Sequence, residues 1–385
     1  MSNSKLVFKN LVQYEGRDEK IGRIENAHIG LYLNRFWPTA IHEELRNEGD
    51  KAAFTKFKNE ITKAQWEKIS CFQLKFSQTL INQTVDRVCS FNGQIESYAC
   101  RGRFLTGSGL PHPSENGFLW HPTLGLPYLP GSAVKGITRA AIERYYEGDD
   151  KESLLIRWFG SETKGADSFS SGNFIFYDAL PLKSPKLAIE IMTPHMSDWY
   201  AKGDKATSSK RQPGDWHTPI PISYLTASNI ELLFAIQPRH PKYSDELHLV
   251  FDALDHALAY IGAGAKTAIG FGQFTRIDTP HSIRQRFDAG IEAAIEKTRK
   301  SGMSQGEQDV DDLIKKLNAL GPIQRRWSSI GPLLNEIRAL IEQLNAAKDS
   351  NAKALLKTEV QARLKSDHPN ALEIPKGKKN LFNWD

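Results

Sequence analysis

The pattern of apolar and polar positions changes character near Pro280. Before it, short apolar runs alternate with two segments of helical spacing. In Ala133–Tyr146 the side chains of Val134, Ile137, Ala141 and Tyr145 recur every three or four residues, which predicts a helix with those four facing a core. Ser132 is its expected N-cap, and Gly148-Asp-Asp150 ends it. Asp245–Ile261 carries Val250, Leu254, Leu258 and Ile261 on one face and predicts a second helix. Runs rich in β-formers predict strands over Ser97–Leu105, Asn173–Leu180, Leu187–Met192, Ile220–Leu225, Ile230–Ile236 and Phe271–Ile277. Ile69–Ile81 alternates in part through Phe72, Leu74 and Phe76, and predicts one more strand. Glu43–Ile61 has helix-like spacing without strong caps.

This order of strand, helix, strands, helix, strand suits an α+β fold with a ferredoxin-like, RRM-like βαββαβ core. The expected division is an N-terminal helical or irregular preface over 1–68, the core over 69–279, and a helical C-terminal extension over 280–385. Two long loop insertions interrupt the core, Thr106–Gly131, rich in Gly and Pro, and the polar stretch Ser197–Pro219. The extension contains helical segments near Gly290–Arg299, Asp309–Leu320, Ile330–Ala346 and Asn351–Lys365, with Gly302–Glu307 as a linker. Ile330, Leu333, Leu334, Ile337, Leu340, Ile341 and Leu344 form an apolar stripe that must be covered. Packing on Asp309–Leu320 or on the core is the expectation, with a docking surface as the alternative. Neither needs the extension for the core fold, so a chain ending near Pro280 is expected to fold.

Composition narrows the function classes. The 385 residues are 40% hydrophobic and 25% charged, as in soluble globular proteins, with a net charge of +5 that suits a polyanionic partner if clustered. The three cysteines, Cys71, Cys89 and Cys100, lack CxxC spacing, which argues against a disulfide framework or a thiolate zinc site. Met1–Asn10 is polar and unlike a signal peptide, and no apolar run is long enough to span a bilayer. The expectation is a cytoplasmic, reduced protein with no membrane association.

Two motifs carry candidate chemistry. Leu129-Pro-Gly-Ser-Ala-Val-Lys-Gly-Ile-Thr-Arg139 opens a helix, where N–H groups and the helix dipole favour an anion. Lys135 and Arg139, four residues apart, share a face and are placed to grip adjacent phosphates, with Ser132 at the helix start. The second motif runs from Gly262 to Phe274, with glycines at 262, 264, 270 and 272 and with Lys266 and Thr267 between them. Glycines at this density allow close approach of the protein backbone to a ligand. The motif is neither a dinucleotide fingerprint, because Thr267 stands where a glycine is needed and a helix precedes it, nor a P-loop, because Ala265 precedes the lysine. For each, the plain structural alternative is a capped helix with solvated cations, or a helix C-cap turning into a strand. His121, His195 and His217 lie in loop-like segments beside tryptophans, where a histidine contacts RNA, acts as a base, or serves the loop's structure. No HExxH, GxSxG or metal-spaced carboxylate cluster occurs.

These motifs resemble the RAMP superfamily, the repeat-associated proteins of CRISPR systems, and within it one subunit type of the type III-B, or Cmr, effector complex. The resemblance rests on Arg103-Phe-Leu-Thr-Gly-Ser-Gly109, Glu115-Asn-Gly117, His121 through Gly136, Phe176-Tyr-Asp-Ala-Leu-Pro181, Met192-Thr-Pro-His195, Asp215 through Pro221, and the Gly262–Gly272 loop. It covers roughly residues 95 to 278; Ala133 stands where the family often has a second serine, and the region after 280 lies outside the pattern. The resemblance implies a single ferredoxin-like domain in a non-catalytic subunit that needs no cofactor. It implies guide RNA held near its 3′ end by backbone contacts, in contact with filament and other RAMP subunits of a ribonucleoprotein for antiviral defence. The candidate RNA-binding residues are Lys135, Arg139, Ser132, Gly262, Gly264, Lys266, Thr267, Gly270, Gly272, His121 and His195, with no catalytic or metal-binding residue. The alternative is a RAMP-type, metal-independent endoribonuclease processing precursor RNA, with His121 or His195 as general base. A purely structural scaffold using the C-terminal helices is a third reading.

Overall fold

The computed structural model describes residues 66–112, 116–161, 170–196, 221–320 and 327–360, with a few isolated positions besides. The predicted helix Glu43–Ile61, most of the preface and the side chains of Ile330 and Leu334 lie outside the described residues. The chain forms two compact units, Met1–Ile291 and Glu292–Asp385.

The first unit opens with helix α1, Trp66–Ser90, where Ile69–Ile81 had predicted a strand. The alternation of Phe72, Leu74 and Phe76 is local. Over the longer window, Ser77, Ile81, Val85 and Val88 recur at three and four residues and are fully buried, while Phe76 is exposed. Strand β1, Gln94–Cys100, follows, then the short β2, Arg103–Phe104. Helix α2, Gly131–Tyr145, comes after the Gly/Pro-rich loop, and helix α3, Lys151–Phe159, which was not predicted, follows it with Leu154 and Trp158, four residues apart, on its buried side.

The predicted strand Asn173–Leu180 is two strands, β3 (Phe174–Phe176) and β4 (Leu180–Pro181), because residues 177–179 turn away to meet the start of α2. Next come β5 (Lys186–Met192), β6 (Ile222–Ser228) and β7 (Glu231–Pro238). Helix α4, Leu247–His256, is a true α-helix only in the middle of the predicted span. A 3-10 turn, Pro241–Glu246, leads into it and a π turn, Ala257–Ile261, leads out. Strand β8 begins at Phe274 rather than Phe271, because positive φ at Gly270 and Gly272 delays extended backbone.

The larger sheet runs β3-β7-β1-β8, antiparallel throughout, with β4 also on β7. Strand β7 is its apolar spine: Leu232, Leu233, Phe234, Ala235 and Ile236 are all buried, as in a strand covered on both faces. Helices α2 and α4 pack on each other. A smaller sheet, β2-β6-β5, pairs Arg103 with Ser228 and Glu190 with Tyr224. Helix α5, His281–Ser301, starts in this unit, and its Ile283 and Phe287 join the first core. The buried Cys89 thiol of α1 donates to the Phe287 carbonyl at 3.3 Å.

The second unit holds the rest of α5, then α6 (Gln305–Leu320), α7 (Trp327–Ala347) and α8 (Ser350–Leu355), which ends in a π turn, Leu356–Val360. The apolar stripe of α7 is covered here. Leu333, Ile337, Leu340, Ile341 and Leu344 pack with Val310, Leu313 and Leu317 of α6 and with Ala352, Leu356 and Val360. The expected linker Gly302–Glu307 is shorter than predicted: Gly302–Ser304 join the helices, and Gln305–Glu307 already belong to α6. Ser304 and Glu307 form a reciprocal capping box, Ser304 N–H donating to Glu307 at 2.8 Å and Glu307 N–H to the Ser304 hydroxyl at 3.1 Å.

Candidate nucleic-acid interface

Helix α2 begins at Gly131, with Pro130 as its N-cap residue and no side-chain cap from Ser132, which lies inside the first turn. Proline at this position restricts φ without losing a needed donor. The capping carboxylate comes from elsewhere: Asp178 accepts the Gly131 N–H at 2.7 Å. A negative charge therefore already occupies this end of the helix dipole. Gly131 is required by packing, since a Cβ there would run into the Phe176 carbonyl oxygen. On the outer side, Ser132, Lys135 and Arg139 recur at three and four residues and share one face. Ser132 is exposed, while Lys135 and Arg139 are half-buried. Arg139 Nε donates to Glu143 at 2.7 Å.

Tyr145, predicted to face the core, is 51% exposed. It sits in the last turn of α2, past the edge of the packed layer, with its ring 4.6 Å from His256.

The glycine-rich segment is a closed, hydrogen-bonded loop. Gly262, Gly264, Gly270 and Gly272 all take positive φ, and so does Lys266 at +60°. The loop is stitched to the end of β2: Ala265 N–H donates to the Leu105 carbonyl and Gly272 N–H to the Arg103 carbonyl, each at 2.7 Å. Its own ends are tied by Ala263 N–H to the Gly272 carbonyl at 2.8 Å. Thr267 starts a 3-10 turn that Gly270 closes in the left-handed region. A Cβ on Gly264 would collide with the Leu105 carbonyl oxygen, whereas at Gly270 nothing lies within 4 Å. Backbone geometry thus accounts for Gly264, and Gly270 borders open space.

Lys266 projects from this loop over Tyr224, with Nζ 5.1 Å from the ring centroid, an attractive cation–π arrangement. Among the described residues no carboxylate pairs with it. Tyr224 is buried, and burial first, then the charge of Glu190, push its phenol above the usual range. Glu190 in turn accepts from Arg103 Nε at 2.6 Å. No local signal in the sequence links Arg103, Glu190 and Tyr224. Arg103 opens a motif, but nothing local shows that its partner lies on β5.

His121 is buried in the Gly/Pro-rich loop. Its Nδ1 accepts from the N–H groups of Thr123 (3.3 Å) and Leu124 (3.2 Å), and its ring meets Tyr128 edge-on. That is the arrangement of a histidine organising a turn. His195 is exposed just beyond β5. Among the described residues, no group of three or more His, Cys, Asp or Glu is placed to hold a metal ion, and no helix is long and apolar enough to cross a membrane.

Comparison with known proteins agrees with these features. Residues 100–275, which span β2, α2 and the glycine loop, match the model of the RAMP superfamily. The CRISPR system Cmr subunit Cmr6 of Pyrococcus furiosus is 24% identical over 338 residues, covering 66% of this chain and 96% of that protein. Cmr6 of Saccharolobus solfataricus is 27% identical over 163 residues, covering 42% of this chain and 48% of that protein. Among solved structures, the type III-B Cmr-beta complex bound to cognate target RNA contains a chain that aligns with a TM-score of 0.45 and 23% identity, over 71% of this chain and 87% of that one. The crystal structure of Pyrococcus furiosus Cmr6 aligns with a TM-score of 0.30 and 22% identity, over 48% of this chain and 98% of that one. The family match across the site and the two curated relatives make this chain similar to RAMP proteins of the Cmr6 type.

Proposed function

We propose that the protein is a non-catalytic, RNA-binding subunit of a type III-B CRISPR effector complex. In this reading it holds guide RNA near its 3′ end through phosphate contacts and docks against filament and other RAMP subunits. The observation that carries the reading is the glycine loop, a hydrogen-bonded, partly open backbone from which the Lys266 ammonium projects, with no carboxylate partner among the described residues. Such a surface grips phosphate and reads no base, as a carrier of variable guides requires. The Lys135–Arg139 face of α2 supplies further cations. The two curated Cmr6 relatives support the assignment to a CRISPR complex. The strand order β3-β7-β1-β8 with helices α2 and α4 supports a ferredoxin-like core, in which the chain order is βαββαβ.

Fluorescence anisotropy with single-stranded RNAs of unrelated sequence tests the reading. Affinity should be similar across sequences and fall steeply with salt. Lys266→Ala and Lys135→Glu should each weaken binding and lower the salt slope by about one unit. A flat salt response with strong preference for one sequence would sink the proposal. Incubation with repeat RNA in the absence of metal checks the non-catalytic part, since cleavage there would point to the endoribonuclease instead.

A further inference from the structure

A second basic group, Arg103 of β2, lies beside the glycine loop. Lys266 lies over Tyr224 of β6. Tyr224 stands directly opposite Glu190 of β5, and Glu190 holds the guanidinium of Arg103 from β2 at 2.6 Å. Arg103 pairs in register with Ser228, four residues from Tyr224 on the same strand, so all three side chains leave the small sheet on one face. Arg103 is also tied to the loop through its carbonyl, which accepts the Gly272 N–H. The result is a line of groups, cation, aromatic ring, carboxylate, cation, along the edge of the loop.

The charges in that line are unequal. Among the described residues Glu190 is the carboxylate of this line and is engaged by Arg103, and none pairs with Lys266. Arg103 and Glu190 side chains are 36% and 31% exposed, so an incoming anion reaches both. An exposed pair of this kind is weak and readily exchanged. A guanidinium accepts a phosphate in the same forked geometry as a carboxylate.

We propose that Arg103 is a second phosphate-binding cation beside Lys266, and that Glu190 is an intramolecular stand-in that a backbone phosphate of the RNA displaces. This rests on the RNA-binding reading and adds a latch to it. Glu190 keeps Arg103 oriented and lowers the affinity of the empty site.

The test is anisotropy on the full-length protein with a labelled single-stranded RNA at several salt concentrations. Arg103→Gln should weaken binding about tenfold and lower the salt slope by about one unit. Glu190→Gln should tighten binding about threefold, a gain that partial unfolding cannot imitate. In the Arg103→Gln background the same Glu190 change should have no effect, because the carboxylate acts through the arginine. Unchanged or weaker binding by Glu190→Gln overturns the proposal. So does equal tightening in both backgrounds, which would make Glu190 a general repulsive charge. If Lys266→Ala weakens binding while the Arg103 and Glu190 variants behave as wild type, the latch fails and the RNA-binding reading stands. If the wild-type protein binds no RNA, both fall.

Discussion

At the scale of single residues, the glycine loop separates two uses of the same amino acid. Gly264, at φ +90° with the Leu105 carbonyl against its missing side chain, is a packing and dihedral requirement. Gly264→Val should lower stability by more than about 2 kcal/mol, seen as a drop in melting temperature whether or not RNA is present. It is therefore a poor probe of steric RNA contact. Gly270 has the same φ but open space around it, so Gly270→Ala should cost only about 1 kcal/mol. If RNA backbone approaches the loop there, that variant lowers affinity well beyond its effect on melting. A Gly264→Val protein that melts like wild type would contradict the loop conformation. The same separation applies to the histidines. His121 is built into its turn by two main-chain donors, the structural role that a lone loop histidine most often has, whereas the sequence alone also left a base or a ligand contact open.

At the scale of elements, the join between α5 and α6 rests on charge rather than apolar contact. Glu296 accepts from Arg299 and from Lys315, and Asp311 pairs with both cations. The bonds from Arg299 and then Lys315 pull the Glu296 carboxyl down to about 2 from an ordinary 4.5. Because the folded value lies below the unfolded one, its contribution is complete above about pH 4.5. It is lost as the pH falls toward 2. Glu296 is solvent-accessible, so the effect is small and screened by salt. Glu296→Gln should lower the melting temperature of the second unit slightly at pH 7. The difference from wild type should vanish by pH 2 and shrink at high salt, as followed by circular dichroism. A difference that persists at pH 2 would assign the effect to something other than the carboxylate's charge.

At the scale of the whole molecule, the two units divide between Ile291 and Glu292, inside a single helix. The change of composition near Pro280 marks where helical sequence begins. It does not mark where the first core ends, because Ile283 and Phe287 are 2% and 8% exposed in that core. A chain ending at Pro280 removes both, at about 2–5 kcal/mol for each large buried side chain lost, before counting the Cys89–Phe287 bond. A chain ending after Ser301 keeps them. Calorimetry should show a cooperative transition for the longer truncation and a strongly lowered one, or none, for the shorter. Equal melting of the two would mean that these helical turns contribute little to the first core.

Much of this architecture is legible in the order of residues. Helices α2 and α4, the apolar strand β7, the buried stripe of α7 and the two motif-bearing segments all follow from local periodicity and glycine placement, because those signals are carried within one element. The same local reasoning failed where two periods compete. Phe72, Leu74 and Phe76 imitate a strand inside a helix whose burial pattern becomes clear only farther along, from Ser77 to Val88. It also failed where a partner lies far along the chain. That Asp178, not Ser132, caps α2 is a contact across 47 positions. That Arg103 meets Glu190 is a contact across 87. Sequence order determined which residues are cationic, which backbone is bare and which faces are apolar. Tertiary structure alone decided that the loop is stitched to β2 and that Lys266 lies over Tyr224, because pairing strands β2, β5 and β6 in one sheet is what brings those groups within reach of each other.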